Sequence, residues 1–225
     1  MKKMLMIAAI LSTISFYVQA QRGPLRGTGK VITKTMSFRD FDKINFEDLD
    51  GNIEVEIGKP FSVKIDIDEN LEPLLYTSRE EKEHELTIGL KGNKNNKLYV
   101  EDTRIKVKIT MPEASVIRHR GNSSLSVTGI IGRYFRLENE GNGNAILQGM
   151  IDDLDIKKNG NGEVKAQRLV AKMAKVKSYG NGNVWVNSQI SLTAHGTGNN
   201  SVMQFGPGKI DPISGIMGNG EVRKM

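Results

Sequence analysis

Three aspartates in the second half of the chain are the residues best suited to chemistry. Asp152, Asp153 and Asp155 form a compact acidic group, and Lys175 and Lys177 follow further along the chain. Carboxylate oxygens can hold calcium, and paired carboxylates or a metal with a basic neighbour can cleave polysaccharides. The spacing is not that of an EF-hand loop, however, and an alternating-charge solvent face is the stronger interpretation. We therefore predict no catalytic residues, no metal site and no cofactor, with calcium binding by the acidic group left open.

The three histidines of the chain do not suggest a metal site. His84, His119 and His195 are far apart in the sequence and lie in different contexts, whereas zinc ligands usually come in closely spaced pairs. We expect these histidines at exposed strand or turn positions.

Two aromatic residues and a group of lysines are the candidates for ligand binding. Trp185 is expected to point outward from its strand, and Tyr179 precedes the same turn. Exposed rings on a strand face can stack on a sugar or become buried at an interface. Lys175 and Lys177 belong to a cationic group that could attract acidic glycans or lipid headgroups. A loop folded over Trp185 and a purely solubilising charge pattern are the alternatives. The other cations of the group are Lys157, Lys165, Arg168 and Lys172.

A repeated Gly-Asn phrase must position these side chains. It recurs every 18 to 20 residues, and such a fixed period is the signature of a stacked repeat. Glycine and asparagine suit tight turns because they adopt positive φ more readily than other residues. The first glycines of the six copies are Gly121, Gly141, Gly160, Gly180, Gly198 and Gly218.

Apolar residues at a constant distance from each turn predict the inward face of the repeat. Alternation with outward residues indicates a strand after each turn. A second strand precedes each turn, with inward pairs such as Phe135 and Leu137 or Ile190 and Leu192. The first inward position after the turns holds Leu125, Ala145, Val164, Val184, Val202 and Val222. The second holds Val127, Leu147, Ala166 and Val186, and then Gln204 and Lys224, which break the apolar pattern.

These patterns favour an all-β fold, a parallel β-helix of ~20-residue coils. A single coil could not bury its apolar face, but stacked neighbours can. Asn-Gly turns would also fit antiparallel hairpins, so a hairpin sandwich is the alternative. Residues 36–111 predict a more irregular β region, with one short helix capped by Asn70.

The N-terminus has the features of a secretory signal peptide over residues 1–20. Lys2 and Lys3 precede an apolar run, and Val18-Gln19-Ala20 offers a cleavage site. The run is too short for a transmembrane span, and none is predicted later in the chain. We expect a flexible leader over residues 21–35, one β-helical domain over residues 36–225, and export across the inner membrane. The final location would be periplasmic, outer-membrane-associated or extracellular.

Composition limits the classes of partner. Without the two signal-peptide lysines the chain has 30 basic and 26 acidic residues, too mild an excess to predict nucleic-acid binding. Aromatic residues make up only 6% of the chain, which also argues against a stacking platform for single strands. In the last coil, Pro207, Pro212 and Lys224 oppose end-to-end strand pairing, so we expect any homo-oligomer to form laterally.

The order of several motifs resembles a known family. An F-x-x-I strand (Phe41, Ile44) comes first, and Gly51-Asn52-Ile53-Glu54-Val55 follows it. Asn70-Leu71, the strand from Ile105 to Pro112 and the Gly-Asn coils then complete the series. Residues 38–223 are similar to the secreted bacterial family called putative auto-transporter adhesin, head GIN domain. The sequence departs from the family pattern at residues 196–200, and at the two prolines of the last coil.

The resemblance implies a right-handed parallel β-helix with an adhesin-like role, and it carries no catalytic residues. We therefore expect an exported, non-enzymatic protein that acts in adhesion or contacts the cell envelope. Its partner would be a surface glycan or an envelope component. A carbohydrate-active β-helix enzyme and a purely structural envelope component are the alternatives. An enzyme would need a cleft with convergent carboxylates, whereas a binding protein can present flat side-chain ladders.

Overall fold

The computed structural model describes residues 24–91 and 100–225, so the predicted signal peptide lies outside the described residues. Within these two ranges the chain forms a six-residue 3-10 helix, Glu69–Leu74, and eighteen strands. No helix in these two ranges is long and apolar enough to cross a bilayer. The strands are β1 Leu25–Arg26, β2 Val31–Met36, β3 Lys43–Leu49, β4 Gly51–Ile57, β5 Ser62–Asp68, β6 Leu75–Glu80, β7 Glu85–Leu90, β8 Val100–Glu101, β9 Ile105–Met111, β10 Val116–Gly121, β11 Ser124–Gly141, β12 Ala145–Gly160, β13 Val164–Asn181, β14 Val184–Asn199, β15 Val202–Gln204, β16 Lys209–Ile210, β17 Gly215–Gly218 and β18 Val222–Lys224.

The Gly-Asn repeat stacks as parallel coils, as predicted. Strands β10 to β14 pair in sequence order and always in parallel, and β15 to β18 complete the last coil. The result is a β-solenoid of about five turns, and a hairpin sandwich is excluded for this region. Each turn glycine lies in register with the glycine of the next coil, from Gly121 and Gly141 to Gly198 and Gly218.

The predicted inward stack is confirmed. Leu125 pairs in register with Ala145 and Val164 with Val184, and Val202 continues the stack to Val222. The first five members are buried and the last is partly exposed at the end of the solenoid. Stacking removes the apolar face of each coil from water, which a single coil could not achieve.

One inward pair differs from the prediction. Ile190 is 59% exposed, and Leu192 and Ala194 are the buried residues before the turn at Gly198. The register shifts twice between β13 and β14, so this coil is two residues shorter than its neighbour. The inward pair keeps the distance from the turn glycine that it has in the other coils, so the predicted pair lay two residues too early in the chain.

The two polar exceptions in the inward pattern have different environments. Gln204 is fully buried, and its Oε1 accepts a hydrogen bond from the Ser188 backbone N–H at 3.1 Å while its Nε2 donates to the Ser188 carbonyl at 3.0 Å. Lys224 is exposed in the last strand, and its Nζ donates to the Pro207 carbonyl at 3.1 Å. A buried amide is tolerated when its hydrogen bonds are made inside the protein.

Residues 24–35, the described part of the leader expected over residues 21–35, contain strands. Strand β2 runs antiparallel to β5, and β1 pairs with β8. Ile32 and Met36 pack against the core, so burial and strand pairing order this segment. Antiparallel pairs β2–β5, β5–β9 and β6–β7 distinguish this end from the parallel coils.

The short helix also differs in its cap. Asp68 occupies the N-cap position, without a side-chain cap hydrogen bond, and Asn70 lies inside the helix. The side chain of Asn70 instead binds the segment before β2, because its Oδ1 accepts from the Thr28 N–H at 3.1 Å and its Nδ2 donates to the Arg26 carbonyl at 2.8 Å.

Candidate binding site

The strand segments that precede the Gly-Asn turns form one outward side-chain surface, which we call the pre-turn face. Since successive side chains of a strand alternate in direction, every second residue of these segments belongs to it. Parallel register then arranges the outward residues in columns that cross the coils. Three columns run Arg136, Asp155, Lys175, Thr193; Glu138, Lys157, Lys177, His195; and Glu140, Asn159, Tyr179, Thr197.

Carboxylates neutralise the arginines at the N-terminal end of the pre-turn face. Arg118 forms an ion pair with Glu85 and lies 3.7 Å from Glu138. Arg120 lies between Glu47 and Glu140, at 3.5 and 3.3 Å. Positive and negative side chains therefore lie next to each other on neighbouring coils, and their charges neutralise each other in this part of the face.

The charge balance changes towards β13. Arg136 forms ion pairs with both Glu138, at 2.8 Å, and Asp155, at 3.5 Å. Lys157 forms an ion pair with Glu140 at 3.5 Å. The next coil carries Lys175 and Lys177, and neither forms an ion pair with a carboxylate in the described part of the chain. Lys175 and Lys177 are therefore two uncompensated positive charges on the pre-turn face.

A depression of about 410 Å³ lies at this point of the face. Its lining combines the uncompensated lysines with an aromatic ring, and Tyr179 is 37% exposed there. The lining residues are Arg136, Asp155, Lys157, Lys175, Lys177 and Tyr179. Such a surface can bind anionic groups and can also pack against a flat, partly apolar ring.

The structure brings together three of the four predicted ligand-binding residues. Tyr179, Lys175 and Lys177 share the depression. Trp185 lies on the strand segment after the turn, half-buried, with the Lys165 Nζ 5.5 Å from its ring centroid. Lys165 and Trp185 are in register on neighbouring coils, so this cation–π pair belongs to another face of the solenoid.

The acidic group is divided between ion pairs. Asp152 lies 2.7 Å from Lys172, and Asp155 is held by Arg136 on the pre-turn face. Asp153 is in register with Tyr134 and Met173. Among residues 24–91 and 100–225 there is no grouping of three or more histidine, aspartate or glutamate side chains arranged to hold a metal ion.

A buried polar column, which the sequence patterns did not predict, lies beside the turns. Four stacked inward residues continue the inward side of the pre-turn segments: His119, Asn139, Lys158 and Ser178. We call this set the polar column. All four occupy inward positions in the strand alternation. Because inward positions are recognised in a sequence by apolar residues, periodicity did not identify these polar ones.

Two members of the polar column are titratable. Burial lowers the pKa of His119, whose ring therefore favours the neutral form. Burial also lowers the pKa of Lys158, to about 8. The Lys158 Nζ donates to the carbonyls of Gly160 at 3.0 Å and Tyr179 at 3.3 Å, and to that of Asn181. This side chain thus ties two successive turns together.

The histidines do not share one environment. His119 is fully buried, contrary to the expectation of exposure, because its column faces the interior. His84 is exposed in the turn between β6 and β7, and His195 lies on the pre-turn face.

An asparagine ladder runs along the turns. The Nδ2 of each asparagine donates to the Oδ1 of the equivalent residue in the coil before, at 3.0, 2.8 and 2.7 Å from Asn122 through Asn142 and Asn161 to Asn181. The repeated asparagine therefore has a cross-coil function in addition to its preference for turns.

These features define a class of protein, a parallel β-solenoid that presents ordered side-chain columns on its faces. The chain belongs to the family described as "Putative auto-transporter adhesin, head GIN domain", whose model matches residues 40–207.

Solved structures of bacterial proteins share this fold. A protein described as a putative adhesin from Bacteroides fragilis aligns with a TM-score of 0.67 and 18% identity, over 89% of this chain and 100% of that chain. One described as a putative lipid binding protein from Parabacteroides distasonis has a TM-score of 0.58 and 23% identity, over 90% and 99%. At these identities the likeness concerns the fold. No curated protein matches the sequence.

Proposed function

We propose that this protein is a non-enzymatic, adhesin-like solenoid that binds a component of the cell surface or envelope through its pre-turn face. The observation that carries the proposal is the depression in which uncompensated Lys175 and Lys177 lie beside the exposed ring of Tyr179. The family description supports an adhesin-like role. A binding surface of this kind needs only a rigid scaffold, which the stacked coils supply.

The arrangement of carboxylates supports binding over hydrolysis. A glycosidase needs two carboxyl groups that face each other across the scissile bond. On the pre-turn face, Glu138, Glu140 and Asp155 instead contact basic side chains of the same face. Their contacts stabilise the strand surface, and each of these three carboxylates is paired with a cation.

We also propose that the protein is exported. The predicted signal peptide over residues 1–20 and the family's surface-adhesin description support this location. The destination would be the periplasm, the outer membrane or the cell exterior. Fractionation of cells that produce the tagged full-length chain tests it, because a cytoplasmic, uncleaved product would contradict export.

A cell-binding experiment tests the proposed function. Purified protein is incubated with intact bacterial cells and with isolated envelope fractions, and the bound fraction is measured. We expect the double variant Lys175→Gln/Lys177→Gln to bind less than the unmodified protein. The matched control, Lys82→Gln/Lys91→Gln, removes the same charge from exposed sites in the N-terminal region and should bind normally. Envelope binding that is absent, or equally strong in both variants, would contradict the proposal.

A further inference from the structure

One of the two uncompensated lysines, Lys177, belongs to a column of basic side chains. Lys157, Lys177 and His195 occupy successive coils in parallel register. Like charges directly opposite each other on neighbouring strands destabilise a sheet. Glu140 offsets Lys157 at 3.5 Å, but Lys177 has no such partner in the described residues. A destabilising arrangement at one place on an otherwise balanced face points to a ligand that supplies the missing negative charge.

Lys175 also lacks a negative partner, for a different reason. Asp155 is its neighbour in register on β12, yet that carboxylate is engaged by Arg136 at 3.5 Å and accepts from the Tyr134 hydroxyl at 3.5 Å. The next coil offers Thr193 at this position, which carries no charge. Lys175 therefore remains uncompensated even though a carboxylate lies one coil away.

The spacing of the cations selects an extended anion. Lys175 and Lys177 are two residues apart on one strand, about 7 Å along its direction, and Lys157 is one coil away, about 4.8 Å across the sheet. The three cations are therefore spread along one strand and across to the next coil. A ligand with several negative charges along its length can pair with each of them, whereas a single small anion would compensate only part of their charge.

The remaining groups at the site suit a sugar. The Tyr179 ring provides a partly apolar surface of the kind on which a pyranose stacks. Its neighbours in register, Asn159 and Thr197, are hydrogen-bonding side chains, and Thr193 lies beside Lys175 in the adjacent coil. A membrane surface would instead require large apolar side chains that enter the lipid, and among the six lining residues Tyr179 is the one aromatic residue, with no aliphatic side chain beside it.

We propose that this depression binds an acidic polysaccharide, with its carboxylate or sulfate groups on Lys175 and Lys177 and a sugar ring against Tyr179. This inference rests on the proposed function and specifies its ligand. The arginines nearer the N-terminus are not expected to bind the ligand, because Arg118 and Arg120 already form ion pairs with carboxylates of the protein. The ligand would therefore be located at β12 and β13.

Titration calorimetry with defined probes tests the inference. The probes are polygalacturonate, dextran sulfate, neutral dextran and vesicles of phosphatidylglycerol. We expect the unmodified protein to bind at least one acidic polysaccharide, more weakly as salt rises, and to bind neutral dextran negligibly. Lys175→Gln/Lys177→Gln should weaken binding about tenfold, and Tyr179→Ala should weaken it with the salt dependence unchanged. Lys82→Gln/Lys91→Gln should retain full affinity.

Several results would overturn the inference. Equal weakening by the two lysine double variants would mean non-specific charge attraction. Binding to vesicles without binding to either acidic polysaccharide would assign the site to lipid. Thermal unfolding of each variant verifies that affinity is compared between folded proteins.

The two proposals can fail separately. Cell binding that depends on Lys175 and Lys177, without binding of acidic polysaccharides, refutes only the ligand class. Cell binding that is insensitive to both lysines refutes the proposed function.

Discussion

Inside the solenoid, the Nδ1 of His119 lies 2.6 Å from the Oδ1 of Asn139 on the next coil. The Nδ2 of Asn139 donates to the Gly143 carbonyl at 2.8 Å, which leaves its Oδ1 as an acceptor. His119 must therefore carry its proton on Nδ1, and its Nε2 accepts from the Ser123 hydroxyl at 2.8 Å. The hydrogen-bond network thus assigns the neutral ring one tautomer.

This relationship predicts that acid weakens the fold through His119. Burial lowers the pKa of His119 in the folded state, so the unfolded chain binds the proton more strongly. Its contribution to stability is complete above the unfolded pKa, about 6.5, and is lost as pH falls below it. We expect the unfolding free energy to decrease between about pH 7 and pH 5, and to decrease less in His119→Gln. Urea unfolding at several pH values measures this, and equal slopes in the two proteins would contradict it.

The buried amine of Lys158 predicts a change in the unfolding free energy at alkaline pH. Burial lowers its pKa from 10.5 to about 8, so between these values the unfolded chain binds more protons. Stability from this residue should therefore increase as pH rises through that interval. Other lysines and tyrosines titrate there as well, so the comparison is with Lys158→Met, which removes the buried amine. We expect the unmodified protein to gain more unfolding free energy than the variant between about pH 8 and pH 10. An identical gain would show that Lys158 is not responsible.

The stacked turns predict a strict requirement for glycine. Gly141 has φ of 108°, and a Cβ there would lie 2.6 Å from the Gly121 carbonyl oxygen of the coil before. Gly141→Ala should destabilise the protein by about 2 kcal/mol or more, through backbone strain and this close approach. Gly215→Ala is the matched control, because a Cβ there meets no atom within 4 Å. Its effect should stay within about 0.5 kcal/mol. Similar losses in the two variants, measured by urea unfolding, would contradict the packing argument.

The proposed non-enzymatic role predicts no cleavage of polysaccharides. The purified protein is incubated with acidic and neutral polysaccharides, and reducing ends and unsaturated sugars are measured over time. We expect no release above a buffer control. Activity that disappears in Asp153→Asn or Asp155→Asn would establish the enzyme alternative.

The last coil predicts how the protein associates with itself. Within residues 24–91 and 100–225, strands β16 and β17 pair with β14 alone and β18 pairs with β15 alone, so each has one edge that no described strand covers. Lys224 places a charge on this end while its Nζ contacts the Pro207 carbonyl. Because Pro212 and Lys224 oppose further strand pairing, Pro212→Val/Lys224→Val should form elongated assemblies in light scattering. Unchanged size of that variant, or end-to-end stacking of the unmodified protein, would refute the expectation that association is lateral.

The sequence alone determined the solenoid and most of its apolar core. The constant spacing of the turn glycines places Leu125, Ala145 and Val164 at the same phase of successive coils, and strand alternation then separates inward from outward residues. These are local patterns, so they can be read without knowing which strands are neighbours. The same patterns placed Lys175, Lys177 and Tyr179 outward on one strand.

Only the tertiary structure decided how coils of unequal length align and which charges neutralise each other. The register shifts against β13 absorb the shorter coil, and only the paired strands reveal where these shifts lie. The polar column was equally hidden, because an inward Lys158 has the same sequence character as an outward lysine. The binding site itself depends on contacts between coils, since Asp155 satisfies Arg136 and leaves Lys175 uncompensated. Such contacts join residues about twenty positions apart, so they exist only once the coils have stacked.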